Sequence, residues 1–202
     1  MTALYVLGLT GSIGMGKSTT AELFRDEGLA VWDADAAVHE LYTSHAETIN
    51  EIAAIAPVAV GADGVSREIL RNLLQADDTL FSKLEKIVHP AIRMHRDAFL
   101  DRCRDLKLQL AVVDIPLLFE TQADKWLDGV LVVTTDLKTQ QKRVMARKGM
   151  TKEAFDMILS KQLPDNEKRA RADFIIETKT LDHARSEVHN LIKKLTENPQ
   201  NA

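Results

Sequence analysis

A glycine-rich segment near the amino end has the residue types and spacing that bind a polyphosphate. It reads Gly11-Ser12-Ile13-Gly14-Met15-Gly16-Lys17-Ser18 and is followed by Thr19. Because glycine has no Cβ, consecutive backbone amides in such a segment can point at one anion. The Lys17 ammonium can reach β- and γ-phosphates, and the Ser18 hydroxyl is a ligand for Mg²⁺. We therefore predict that residues 11–19 bind a nucleoside triphosphate.

Carboxylates follow two apolar runs, where ligands of parallel α/β sheets gather. Asp33 and Asp35 come after Leu29–Trp32. Asp33 either accepts the proton of an attacking hydroxyl or holds that hydroxyl in line with the γ-phosphate, unless it only caps the next helix. Asp35 either assists Asp33 or helps to hold Mg²⁺ through water, unless it too is a cap. Asp114, at the end of another run, either orients Mg²⁺ or caps a loop. Further on, Glu120 either binds substrate or is a solvated loop residue.

Basic residues are concentrated in one segment of an otherwise acidic chain. From Lys138 to Arg171, ten Lys and Arg stand against four Asp and Glu, while the remainder has sixteen against twenty-six. Arg143 and Arg147 are four apart, so we expect them to share a helix face with Gln140. Their guanidinium groups would clamp phosphate oxygens, unless this is simply a solvated face. Further candidates for the same role are Lys168, Arg169 and Arg171.

Five short apolar runs alternate with helical segments. This pattern predicts an α/β fold with a five-stranded parallel sheet and helices on both faces. Helices are expected from Val38 to Ile55, from Leu137 to Lys148 and from Thr151 to Leu163, with a loop at 56–66. His89 precedes Pro90, which is expected to kink or restart a helix; His89 by itself is read as a structural histidine. The predicted strands are Ala3–Leu9, Leu29–Trp32, Leu110–Asp114, Asp128–Val133 and Ala172–Ile176.

Two segments fall outside the strand–helix alternation. Residues 34–106 are too long for a simple crossover, so they predict an inserted helical subdomain. Residues 137–171 predict a basic helical lid, which would exclude water from the reaction. The nucleotide-binding core then consists of 1–33, 107–136 and 172–202, with a frayed tail from Glu197.

The bulk composition excludes several classes of protein. A net charge of −4 argues against general nucleic-acid binding. Cys103 is the only cysteine, so no internal disulfide can form. No apolar run approaches the ~20 residues of a membrane span, and no Lys or Arg precedes Lys17 to form a signal-peptide charge. We expect a cytoplasmic protein with a small-molecule substrate; the oligomeric state does not follow from the sequence.

Taken together, the motifs resemble those of the dephospho-coenzyme A kinase family. They occur in the same order as in that family and cover almost the whole chain. Any one motif after the first is weak, but the ordered set is specific. They are Gly8–Ser18, Asp33-Ala34-Asp35, His89-Pro90, Pro116-Leu117-Leu118-Phe119-Glu120, the set Gln140, Arg143 and Arg147, then Gln162, Lys168 and Ala172-Asp173.

The resemblance implies a P-loop kinase that uses ATP and Mg²⁺ to phosphorylate the ribose 3′-hydroxyl of dephospho-coenzyme A. It implies that Asp33 is the base or orienting group, with Lys17 and Arg143 also catalytic. Arg147 would bind ATP in the closing lid. The acceptor would be bound by Asp33, Asp35, His89, Leu117 and Glu120, and Mg²⁺ by Ser18 with Asp114 or Asp35.

The chain departs from the family pattern at two places. Ser12 and Met15 replace smaller residues of the loop, and we expect their side chains to point outward with little effect. Glu177-Thr178-Lys179-Thr180 replaces an Asn and a Gly before the last helix. If that segment lies near the adenine, neither the affinity for the donor nor the selectivity for ATP follows from the family pattern.

Two other functions fit the glycine-rich segment alone. One is a kinase for a nucleoside or another small metabolite. The other is a regulatory nucleotide switch, although neither the N-K-x-D element of guanine switches nor an L-S-G-G-Q-like segment of transporter ATPases occurs in the chain.

Overall fold

A computed structural model of the chain describes residues 3–197, so the predicted fraying of the tail lies largely outside the described residues. The strands are β1 (Tyr5–Thr10), β2 (Ala30–Asp33), β3 (Val60–Gly61), β4 (Gly64–Val65), β5 (Leu110–Asp114), β6 (Gly129–Thr134) and β7 (Phe174–Glu177). Five of them form one parallel sheet in the order β2-β5-β1-β6-β7. The fold class predicted from the sequence is therefore confirmed. The other two, β3 and β4, form a separate two-stranded hairpin.

Helices connect and cover the strands. Within residues 3–197, no helix is both long enough and apolar enough to cross a bilayer. The helices are α1 (Lys17–Asp26), α2 (Ala34–Thr43), α3 (Ala46–Ile55), α4 (Arg67–Ala76), α5 (Asp78–Asp105), α6 (Leu137–Met145), α7 (Lys152–Ser160), α8 (Asp165–Ala170) and α9 (Leu181–Glu197).

The chain divides into two compact units. The sheet unit comprises Met1–Trp32 and Cys103–Ala202, and the helical unit comprises Asp33–Arg102. Strands β5 and β6 are buried along their whole length because helices and loops cover both faces of the sheet. On one face, α1 and α9 contribute Phe24 and Val188 to the core. On the other, Leu118 and Phe119 pack against Val130 and Val132.

The helical unit has its own apolar core, which includes Leu41, Ile52 and Leu84. The predicted helix from Val38 to Ile55 is wrong in one respect: it is two helices, because α2 ends at Thr43 and His45 caps α3. The predicted loop at 56–66 contains the β3–β4 hairpin. Gly64 lies there with φ +91°, where a Cβ would be 2.2 Å from the Tyr42 carbonyl oxygen. Only glycine fits this close approach.

Helix α5 passes through Pro90 without a break. Of the two outcomes predicted at Pro90, a restart of the helix is therefore wrong, and a kink stays a prediction. Proline costs one backbone hydrogen bond, but the apolar face that includes Leu84 and Val88 is buried in the core of the unit, and this packing favours a continuous helix. Cys103 lies near the end of α5 and is buried.

Candidate active site

The glycine-rich segment connects β1 to α1 in the sheet unit. Gly14 and Gly16 have φ angles of +79° and +93°, a backbone conformation that residues with a Cβ rarely adopt. Gly16 is also the N-cap of α1, so the helix begins at the loop with its amide-rich, partially positive end. A loop of this kind followed by a helix N-terminus is suited to an anion. Residues 11–18 are called the phosphate-binding loop below.

The loop packs closely against neighbouring strands and segments. A Cβ on Gly11 would lie 2.6 Å from Val133 Cγ2, and a Cβ on Gly16 would lie 2.8 Å from Thr178 Oγ1. These positions therefore need glycine for space, in addition to the positive φ at Gly16. The sequence predicted the need for backbone freedom but not this need for space, because the neighbours come from distant parts of the chain.

Lys17 forms an ion pair with Asp114, with Nζ 2.6 Å from Oδ1. The pairing follows from the sheet, because β1 and β5 are neighbours and Leu9 is opposite Asp114. The Asp114 side chain is 1% exposed and that of Lys17 is 17% exposed. Asp114 therefore holds the ammonium group of Lys17, the catalytic candidate at the carboxyl end of the loop. Ser18 and Thr19 are exposed in the first turn of α1.

Two glutamines hold the backbone of the loop at Ile13. Gln140 Nε2 donates to the Ile13 carbonyl at 2.8 Å, and the Ile13 amide donates to Gln162 Oε1 at 3.1 Å. Gln140 is buried in α6. One peptide on each side of Ile13 is thus fixed by side chains from the predicted lid segment. The sequence matched both glutamines to the family pattern but did not indicate this contact.

The expectation that Ser12 and Met15 point outward is wrong. Their exposed fractions are 4% and 2%, and Met15 belongs to the core of the sheet unit. The Met15 sulfur accepts a hydrogen bond from the Thr135 amide at 3.2 Å. An unbranched thioether fills irregular space well, which explains how a larger side chain is accommodated here.

Arg143 is held by Thr178. Its Nη1 donates to Thr178 Oγ1 at 2.9 Å, and its Nη2 donates to the Thr178 carbonyl at 2.6 Å. The shared helix face predicted for Arg143 and Arg147 is wrong, because α6 ends at Met145 and Arg147 lies exposed in the following turn. In the sequence, Thr178 stands out only as part of a departure from the family pattern, with no predicted role.

Glu120 is not a solvated loop residue. Its Oε1 is 2.8 Å from Lys168 Nζ, which is fully buried, and accepts a hydrogen bond from the Leu163 amide at 2.7 Å. Burial raises the pKa of Glu120, but the ion pair with Lys168 and the hydrogen bond from the Leu163 amide outweigh it, and the net pKa lies below the usual 4.5. The expectation that Lys168 clamps phosphate is not supported, since its ammonium is buried in this pair. Leu117, on the same loop, is 40% exposed.

The other late basic candidates differ from one another. Arg171 forms an ion pair with Asp124 at 2.7 Å and stacks over the Phe119 ring. Arg169 is exposed, although it follows the buried Lys168 on α8.

Three candidate residues belong to the helical unit. Asp33 Oδ1 caps α2 by accepting from the Ala36 amide at 2.9 Å. Asp35 is exposed in the first turn of α2. His89 is 64% exposed on α5, with Nε2 3.8 Å from Glu85 Oε1. Among the side chains that the structure describes, no group of three or more His, Cys, Asp or Glu could hold a metal by itself.

Comparison with known proteins places these features in a family. The model of the family described as Dephospho-CoA kinase matches residues 5–182. A Dephospho-CoA kinase of Ruegeria pomeroyi is 47% identical over 189 residues, which are 94% of each chain. A crystal structure of a Thermus thermophilus protein has a TM-score of 0.82 at 33% identity, covering 96% of this chain and 98% of that one. The Dephospho-CoA kinase structure from Campylobacter jejuni has a TM-score of 0.71 at 27% identity, with the same coverage.

Proposed function

The chain belongs to the dephospho-CoA kinase family, and from this we propose that it transfers the γ-phosphoryl group of ATP to the ribose 3′-hydroxyl of dephospho-CoA, giving CoA and ADP. The observation that supports it most is the phosphate-binding loop, with Lys17 placed by Asp114 and Ile13 held by two glutamines. A loop fixed on both sides binds a triphosphate without being reorganised, and such preorganisation is usually the largest catalytic contribution.

We propose that the donor phosphates are held by the amides of residues 11–19, by Lys17 and by the two lid arginines. Lys17 and Arg143 stabilise the negative charge on the transferring group, as cations do in this chemistry. Arg147, being exposed beyond α6, joins them only when the lid closes.

The donor set is compatible with Mg²⁺. This ion keeps several waters and is usually held by one or two protein oxygens and the substrate phosphates. The exposed Ser18 hydroxyl is the proposed protein ligand, with a carboxylate of Asp114 or Asp35 acting directly or through water. When bound, Mg²⁺ neutralises phosphate charge.

On the acceptor side, we propose that Asp33 receives the proton of the 3′-hydroxyl. The hydroxyl oxygen attacks the γ-phosphorus in line, the bond from that phosphorus to the bridging oxygen breaks, and ADP leaves. No covalent enzyme intermediate is involved. His89 and Asp35 bind the acceptor, as does the exposed Leu117. Because Glu120 Oε1 is engaged by Lys168 and Leu163, we assign Glu120 to ordering the Leu117 loop.

One assay tests the reaction. The protein is mixed with ATP, Mg²⁺ and dephospho-CoA, and the product is analysed by mass. We expect a species heavier by one phosphoryl group, no transfer with 3′-deoxy acceptor, and loss of transfer when Mg²⁺ is chelated. Preferred transfer to another acceptor in a panel of nucleosides and metabolites would contradict the assignment of dephospho-CoA as the substrate. ATP hydrolysis without any phosphorylated acceptor would contradict the kinase activity.

The same proposal includes a cytoplasmic location, where both substrates and a reducing environment for Cys103 would be present. Cell fractionation followed by activity measurement tests it, and activity confined to a membrane or secreted fraction would contradict it.

A further inference from the structure

We propose that Thr178 is a positioning residue, which fixes the Arg143 guanidinium against the carboxyl-terminal part of the phosphate-binding loop. The inference rests on the proposed role of Arg143 toward the ATP phosphates. It adds a residue that neither the sequence motifs nor the family comparison assigns.

The Thr178 hydroxyl connects the loop to the arginine. Its Oγ1 donates to the Met15 carbonyl at 2.8 Å and accepts from Arg143 Nη1 at 2.9 Å. A hydroxyl has one hydrogen to donate and lone pairs to accept, so both bonds form at once. Its side chain also lies against Gly16, where a Cβ would be 2.8 Å from the hydroxyl oxygen.

The backbone of Thr178 gives the second half of the contact. Its carbonyl accepts from Arg143 Nη2 at 2.6 Å, and its amide donates to the Thr134 carbonyl at 2.8 Å. Thr178 is 5% exposed, so water competes little for these groups. The two ends of the planar guanidinium are therefore held by one residue that is itself attached to the end of β6. This limits the rotation of a side chain that is otherwise flexible.

The charge of Arg143 is left available by this arrangement. Both of its acceptors are neutral oxygens, and no carboxylate among the described residues pairs with it. The neighbouring Glu177 is itself paired with Lys179. The two bonds use two of the five guanidinium N–H groups, and the others remain for phosphate oxygens. An arginine oriented by neutral partners attracts an anion more strongly than one already paired with a carboxylate.

A mutant cycle tests the coupling between the two residues. Thr178→Val removes the hydroxyl while keeping a similar shape, Thr178→Ser keeps the hydroxyl, and Arg143→Met removes the cation. We expect Thr178→Val to lower both kcat/KM for ATP and ATP affinity by about tenfold, as for loss of a hydrogen bond to a charged group. Thr178→Ser should retain most of both. In the Arg143→Met background, Thr178→Val should have a much smaller effect, which reflects only the lost bond to the Met15 carbonyl.

Thr196→Val is the matched control. Its hydroxyl donates to the Ile192 carbonyl on α9, away from the loop, so both readouts should stay at wild-type values. A merely structural role for Thr178 would lower stability and would reduce both readouts equally with or without Arg143. That result would overturn the proposal. So would an Arg143→Met variant with wild-type kcat/KM and ATP affinity, or a Thr178→Ser variant that loses both.

The ATP-affinity arm, measured by calorimetry, requires no acceptor. A non-additive cycle there, together with a wild-type protein that does not phosphorylate dephospho-CoA, would support the Thr178 inference and contradict the proposed function. An additive cycle in a protein that phosphorylates dephospho-CoA would contradict the Thr178 inference and support the proposed function.

Discussion

At the scale of single residues, the Lys17–Asp114 pair combines a catalytic and a structural role. We expect Lys17→Met to lower turnover by about 100-fold or more, because one stabilising charge on the transferring group is lost. We also expect a loss of about 1–3 kcal/mol in the free energy of unfolding, since the buried Asp114 loses its cation. Steady-state kinetics and urea unfolding measure the two effects.

The double variant Lys17→Met with Asp114→Asn separates these effects. It removes both charges of the pair, so it should recover most of the stability while turnover stays low. Recovery of turnover together with stability would contradict the direct role of Lys17 toward phosphate.

Asp33 also has two functions that one substitution can separate. Its Oδ1 caps α2, and asparagine caps helices as well as aspartate does. Asp33→Asn should therefore keep stability and ATP affinity but lower kcat by about 100-fold, the usual range for a lost general base. Asp33→Ala, which loses the cap as well, should in addition be less stable by about 1 kcal/mol. Normal turnover of Asp33→Asn would exclude Asp33 as the base.

At the scale of elements, the Glu120–Lys168 pair joins the loop after β5 to α8. Because the folded pKa of Glu120 lies below 4.5, its ionised form stabilises the fold above that pH, and this contribution is lost as pH falls through the lowered value. We expect Glu120→Gln to be less stable than wild type at pH 7, with the difference shrinking as the pH falls below 4.5. Urea unfolding from pH 3 to pH 7 measures it, and a pH-independent difference would contradict the assignment.

The sequence predicted the elements better than the contacts between them. Strand positions and the phosphate-binding loop follow from local patterns of apolar residues and glycine. The end of α6, before Arg147, and the continuity of α5 through Pro90 do not, since tertiary packing decides both. The inward direction of Met15 depends on its place in the core of the sheet unit, which no local pattern reports.

The same limit applies to the candidate site. Lys17, Ser18 and the glycines carry their chemistry in a short motif. The partners Asp114, Gln162 and Thr178 lie far along the chain, so their contacts require the three-dimensional arrangement. Thr178 is the clearest case, because its departure from the family pattern marked the position but not its purpose.

At the scale of the whole molecule, the two units have separate cores. Ile52 is fully buried in the helical unit, so Ile52→Ala should lower stability by about 2–5 kcal/mol. We expect a raised KM for dephospho-CoA with unchanged ATP affinity, because the described contacts of the phosphate-binding loop lie in the sheet unit. Val58→Ala, at a 68% exposed position of the same unit, is the control and should change stability by under about 0.5 kcal/mol. A parallel loss of ATP affinity would contradict separate roles for the units.

Cys103, the only cysteine, lies near the end of α5 and is 3% exposed as a residue. An alkylating reagent can therefore react with it only after that part of the chain opens. The protein thus carries a natural single-site reporter, and the rate of its labelling would measure local opening without any engineered probe.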